Sequence, residues 1–212
     1  MAGWHGRDPG KPNQWHTTTA VEWKTSEPTK LHAEDRPGSV MINGPTGRTV
    51  DLVSDDQFGD YELYLEFLIP QKSNSGVYIG GLYEVQILDS YGVEKLNVHD
   101  CGAIYERWIN GKGEGGTKPL RNASKPAGEW QSFLIRFRAP RFDASGKKVE
   151  NARFIEVLHN GVPIHKEIEA PGPTRASLEI PEARENPIML QGDHGPVSFR
   201  RMYVRRLDGA VR

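Results

Sequence analysis

The chain has 212 residues, enough for one domain with one sizeable core and awkward for two. Its 27 lysines and arginines are balanced by 28 aspartates and glutamates, so there is no basic excess to grip phosphate, and nucleic acid is excluded as a partner. It carries 23 glycines and 15 prolines, where an average chain of this length carries roughly 25 of the two together, which disfavours long helices and suggests short strands joined by turns.

No apolar stretch approaches the roughly 20 residues that span a bilayer. The single cysteine, Cys101, rules out an internal disulfide and a cysteine-based zinc site. The start, Met1-Ala2-Gly3-Trp4-His5, shows neither the basic region nor the apolar run of a signal peptide.

One domain is expected over residues 1–212, with the first ~40 residues more irregular. To about Thr49 the chain is polar and broken by Pro9, Pro12, Pro28, Pro37 and Pro45, which predicts loops with two short strands, anchored by Trp15 and Trp23. From Asp60 the pattern changes. Tyr61, Leu63, Leu65, Phe67 and Ile69 alternate with Glu62, Tyr64, Glu66 and Leu68, the period of a strand with two unlike faces. After a turn at Lys72–Gly76, Val77-Tyr78-Ile79 leads through Gly80-Gly81 to a second alternating run. There Tyr83, Val85 and Ile87 point one way and Glu84, Gln86 and Leu88 the other.

Gly92 to Gly128 is glycine-rich and long for a hairpin loop. Strands resume at Trp130–Arg138, Phe154–Leu158 and Val162–Glu167, the last two flanking Asn160-Gly161, the strongest short hairpin signal. A closing hairpin is expected from Ile188–Gln191 through Gly192-Asp193-His194-Gly195 into Val197–Leu207. No helix-period stretch appears. The fold class is therefore all-β, an antiparallel β-sandwich of jelly-roll type, whose sheet face offers a groove.

In order, Asn74-Ser75-Gly76-Val77-Tyr78, Tyr83–Asp89, Gly102-Ala103-Ile104-Tyr105, Pro126-Ala127-Gly128-Glu129-Trp130, Asn160-Gly161-Val162, Leu190–Gly195 and Val197-Ser198-Phe199-Arg200 resemble the 3-keto-disaccharide hydrolase family. The likeness runs from near Val40 to Leu207. It implies a concanavalin A-like lectin/glucanase sandwich and substrates whose sugar C3 hydroxyl has been oxidised to a ketone. It also implies a bacterial, extracytoplasmic protein, periplasmic or secreted. Two positions depart from the family pattern. Gly80 stands where the family often has an arginine, and the Gly-Glu-Trp-Asn pattern reads Gly128-Glu129-Trp130-Gln131.

A 3-keto sugar permits glycosidic cleavage by elimination, because the ketone acidifies the C2 proton and the C1 oxygen lies β to the enolate. The site then needs a base near C2, a donor for the enolate oxygen and an acid for the leaving group. Glu84 is the expected base, with Gln86 beside it on the same strand face to orient the sugar. His194 is the expected acid, from its near-neutral ordinary pKa and its place in the family's Gln-Gly-Asp-His-Gly-like turn. Gln191, Asn74, Tyr105 and Asp89 are substrate-binding candidates. Asn74 equally suits a turn, Tyr105 a core and Asp89 a strand end, where parity turns it away from Glu84. Tyr64 and Glu66 share a face that either extends the groove or is plain sheet polarity.

His99-Asp100-Cys101 cannot all reach one ion from an extended segment. A calcium ion held by aspartate and carbonyl oxygens stays open as a cofactor, although no dense Asp/Asn loop announces it. Lys112–Thr117 lacks the spacing of a phosphate cradle. The expected function is cleavage of 3-keto-glycosides by C2 proton abstraction, elimination and hydration. The alternatives are a non-catalytic carbohydrate-binding module and a conventional glucanase; the glucanase would need a second carboxylate that the Glu84 strand does not supply on that face.

Overall fold

A computed structural model describes residues 1–207. In chain order its strands are β1 (Trp4–Gly6), β2 (His16–Thr18), β3 (Val21–Trp23), β4 (Leu31–Ala33), β5 (Val40–Ile42) and β6 (Leu52–Phe58). There follow β7 (Tyr61–Leu68), β8 (Asn74–Ile79), β9 (Tyr83–Leu88), β10 (Arg107–Ile109), β11 (Lys112–Glu114) and β12 (Gln131–Arg138). The remainder are β13 (Arg141–Phe142), β14 (Lys148–Glu150), β15 (Ala152–His159), β16 (Val162–Ala170), β17 (Asn186–Leu190) and β18 (Ser198–Arg206).

Two antiparallel sheets form the sandwich. One has five strands in the order β1-β6-β17-β8-β9, the other seven in the order β16-β15-β12-β7-β18-β5-β2. Period-two alternation supplies the core between them. Leu63, Leu65 and Phe67 of β7 and Phe133, Ile135 and Phe137 of β12 meet Val77 and Ile79 of β8 and Val85 and Ile87 of β9 in one buried cluster. Asn160 and Gly161 take φ of 52° and 77°, the two positive values that a tight two-residue turn between β15 and β16 requires.

The structure differs from the sequence reading in three places. The first 42 residues hold five three-residue strands rather than two, because short polar segments can pair at a sheet edge without a hydrophobic alternation to announce them. The long segment after Gly92 is not a bare loop. Ile104 bridges Val85 and Thr117, and β10 pairs with β11 in a ribbon, so the free edge of β9 is covered. The expected closing hairpin does not form either: β17 lies in the five-stranded sheet and β18 in the seven-stranded one, so Gly192–Gly195 is a crossing between sheets. Alternation shows which way side chains point, not which strand is the neighbour.

That crossing meets others at the same end of the sandwich. The β5–β6 and β7–β8 connections also pass between sheets. They touch: Ser73 Oγ donates to the Pro196 carbonyl (2.6 Å), and Asn43 Nδ2 donates to the carbonyls of Gly192 (3.0 Å) and Gly195 (2.8 Å). At Gly47, φ is +59° and any Cβ would lie 1.9 Å from the Gly195 carbonyl, so the backbones meet where only glycine fits.

At the other end, the β8–β9 turn places Gly80 and Gly81 at φ of 58° and 64°. The conformation there favours glycine, which gives Gly80 a local reason of its own. Its N–H donates to the buried Tyr61 hydroxyl (3.2 Å). Tyr61→Phe is expected to lower stability by roughly 1–2 kcal/mol, since it leaves that N–H unpaired in the interior; urea denaturation measures it. Gln131, the other departure from the family pattern, is buried and accepts from Lys125 N (3.0 Å) while pairing with His159 Nε2 (2.9 Å).

Candidate functional site

The site lies on the outer face of the five-stranded sheet. Val85 and Ile87 turn into the core, so Glu84 and Gln86 turn out; Val77 and Ile79 turn in, so Gly76 and Tyr78 turn out. Register sets Tyr78 opposite Glu84 and Gly76 opposite Gln86. From β17, Met189 pairs with Tyr78, and Gln191 N donates to the Gly76 carbonyl (2.9 Å). A Cβ on Gly76 would sit 2.3 Å from Glu84 Oε1, so the carboxylate lies directly over the glycine.

Two segments cover this face. Residues after β16 cross it: Thr174 N donates to the Leu82 carbonyl (2.8 Å), Thr174 Oγ1 accepts from Glu84 N (3.0 Å), and Leu178 packs on Val53, Tyr78 and Met189. Gly102–Tyr105 lies along the edge of β9, with Gln86 N donating to the Ala103 carbonyl (2.9 Å) and Tyr105 N to that of Glu84 (3.0 Å). Ile104 enters the core, which turns Tyr105 outward towards Glu84. Glu84 is left 3% exposed and Gln86 2%.

That burial pushes the Glu84 carboxyl up to about 8; the Tyr78 hydroxyl bonds to it and restrains the rise, while the charges of Asp51 and Asp193 add to it. Tyr78 reaches the Arg175 carbonyl as well (3.2 Å). Asp51 is itself raised, chiefly by burial, although it accepts from Gly192 N (2.9 Å) and pairs with Arg7 (3.2 Å). Asp193 is hydrogen-bonded to His194 Nδ1, which holds the carboxyl below its ordinary value and the imidazole above its own. A recess of about 730 Å³ bounded by Asp51, Asp193, Thr49 and Arg48 opens beside these groups.

Glu84, Gln86, Gln191 and Tyr105 therefore share one face, and His194 joins them through Asp193. Gln191 is 6% exposed and its Oε1 is buried with no partner among the described residues, an acceptor awaiting a donor. Asn74 lies at the end of β8 beneath Gly195, whose Cβ would come 2.7 Å from Asn74 N. Asp89 sits elsewhere, its Oδ2 accepting from Lys72 N (2.9 Å) at a turn where Lys72 has φ of 60°. Tyr64 and Glu66 do not extend the groove. They lie on the outer face of the opposite sheet, where Glu66 pairs with Arg200 (2.5 Å) and Arg201 (3.2 Å).

His99, Asp100 and Cys101 diverge: His99 faces Glu106 (3.4 Å), Asp100 accepts from Asn97 N (2.7 Å), and the buried Cys101 thiol is pushed up to about 12. Among the described residues no three His, Cys, Asp or Glu side chains are grouped to hold a metal ion. Sequence reasoning missed Tyr78, Asp51 and Asp193. Tyr78 was readable from its parity between Val77 and Ile79. Asp51 and Asp193 come from crossing loops, which carry no period; their charges act on Glu84 from outside its own strand.

The sequence matches, over residues 1–205, the family described as the 3-keto-alpha-glucoside-1,2-lyase-like domain. The chain belongs to this family. Its solved relatives include a candidate glycosyl hydrolase from Parabacteroides distasonis ATCC 8503, 26% identical, with a TM-score of 0.63 over 97% of this chain and 84% of that one. A second such protein from the same organism is 20% identical, with a TM-score of 0.54 over 92% of this chain and all of that one. The carbohydrate-binding module CBM66 from Bacillus subtilis shares the fold at 9% identity, with a TM-score of 0.50 over 97% of this chain and 96% of that one. No curated protein matches the sequence. Like the P. distasonis relatives, this 3-keto-glucoside lyase-like domain stands among carbohydrate-active β-sandwich proteins, and no described helix is long and apolar enough to cross a membrane.

Proposed function

We propose that this lyase-like domain cleaves 3-keto-glycosides by elimination, with Glu84 as the base. The observation that carries the reading is the Glu84 carboxylate, buried beside Tyr78 and raised to about 8. A base of that strength is far better matched to a proton α to a ketone than an ordinary carboxylate. Glu84 takes the C2 proton, and the C2–H electrons form the enolate with the C3 oxygen. The enolate collapses to a C1–C2 double bond as the C1–oxygen bond breaks, and the departing oxygen takes a proton from His194. Water adding across the double bond, hydroxyl to C1 and hydrogen to C2, completes net hydrolysis.

Tyr105 faces the enolate oxygen in this scheme, and the unpartnered Gln191 Oε1 accepts from a sugar hydroxyl. Asp193 favours the protonated form of His194 through their hydrogen bond and orients the ring. The test is aglycone release from a 3-keto-glucoside and from its non-oxidised parent in parallel. Turnover of the keto substrate alone, with exchange of its C2 hydrogen for solvent deuterium, is expected; equal turnover of both points to ordinary glycosidase chemistry, and recovery of both unchanged to a binding module. His194→Gln is expected to slow release by about 10²-fold, least for aglycones that leave readily without a proton.

A further inference from the structure

We infer that a recess on the far side of Tyr105 is a subsite for a neutral second sugar ring, the leaving group of the reaction proposed above, on which this inference rests. The recess holds about 310 Å³ and is lined by Tyr105, Arg107, Glu114, Thr117, Gly172 and Thr174. Two of these residues connect it to the base: Thr174 Oγ1 accepts from Glu84 N, and Tyr105 N donates to the Glu84 carbonyl.

Arg107 is the unexplained group. Its Nε is shielded from water and has no hydrogen-bond partner among the described residues. Its guanidinium rests on the backbone of Gly172, where a Cβ would come 2.8 Å from Nη2, so a glycine makes room for it. A buried donor left unpaired is costly, and a site that recovers its bonds on binding ligand accounts for it.

The surrounding charge defines the ligand. Glu114 faces Arg107 across the β10–β11 ribbon, and Glu169, on the opposite rim, is already paired with Arg153 (2.5 Å). With Glu114 set against Arg107 and Glu169 against Arg153, the recess has no net positive charge to hold a carboxylate or phosphate, whereas a polyol both accepts from Arg107 and donates to Glu114. The volume lies at the small end of ligand cavities and suits one ring, not a chain of them. Tyr105 supplies an aromatic wall.

The test compares wild type, Arg107→Ala and Arg107→Lys on a 3-keto-disaccharide and on methyl 3-keto-glucoside, whose leaving group is too small to occupy the recess. Arg107→Ala is expected to raise KM for the disaccharide about tenfold and leave the methyl glycoside unchanged, with Arg107→Lys intermediate. Equal effects on both substrates, or none, overturn the subsite. Calorimetric titration with the free monosaccharide supplies a readout independent of turnover: binding to wild type that is weakened about tenfold in Arg107→Ala supports the subsite, and unaltered or absent binding sinks it. If wild type cleaves neither keto substrate, the elimination chemistry fails, and the titration still decides the subsite.

Discussion

Glu84→Gln is expected to reduce release of aglycone from a 3-keto-glucoside by at least about 10³-fold while making the protein more stable. The amide has the shape of the carboxylate and keeps its place over Gly76, but it cannot take a proton. In wild type, the rate should climb with pH through the raised Glu84 value of about 8, as the carboxyl ionises. Stability follows the opposite slope. The unfolded chain loses this proton near the ordinary value of 4.5 and the folded chain only near 8, so stability falls as pH rises between them. The loss is on the order of 5 kcal/mol above that window. Glu84→Gln escapes it, so its melting temperature should match wild type at pH 4 and exceed it at pH 9. Near-wild-type turnover by the variant would remove Glu84 from the chemistry, and parallel stability curves would show that the buried carboxyl carries no such penalty.

Asn43→Ala should produce the largest loss of stability from a residue outside the hydrophobic core. Asn43 is fully buried; it donates to the carbonyls of Gly192 and Gly195 and accepts from Val197 N at 2.8 Å. Alanine leaves the Gly195 carbonyl and Val197 N without a partner and the Gly192 carbonyl with Thr49 N alone (3.2 Å), at about 3 kcal/mol, equivalent to a fall in Tm of roughly 6–12 °C. Its anchors bracket Asp193 and His194, so activity should fall further than the unfolded fraction explains, as measured well below the new Tm. A destabilised variant with unchanged kcat would show that the turn keeps its shape without Asn43.

The sandwich and the facing of Glu84 and Gln86 were legible because alternation is local: each strand records in its own sequence which side is wet. The same signal places Tyr78 with them. What the sequence did not reveal is how the strands were dealt between sheets, since β17 and β18 alternate alike whether they pair or part. Asp51 and Asp193 were hidden for that reason. They are neighbours of Glu84 only because loops distant in sequence cross at one end of the sandwich. Asp89 shows the converse: it ends the very strand that carries Glu84, yet its carboxylate is spent on Lys72 N.

The backbone contact between Gly47 and Gly195 has a kinetic consequence. Residues separated by most of the chain must be brought together before Asp193 and His194 can stand beside Asp51, and such distant closures come late in folding. Neither sheet alone can assemble the acid side of the site, because each crossing has one foot in either sheet. Regain of catalysis during refolding should therefore coincide with the final docking of the two sheets and lag behind the recovery of strand signal. A partly folded chain would display β-structure without chemistry.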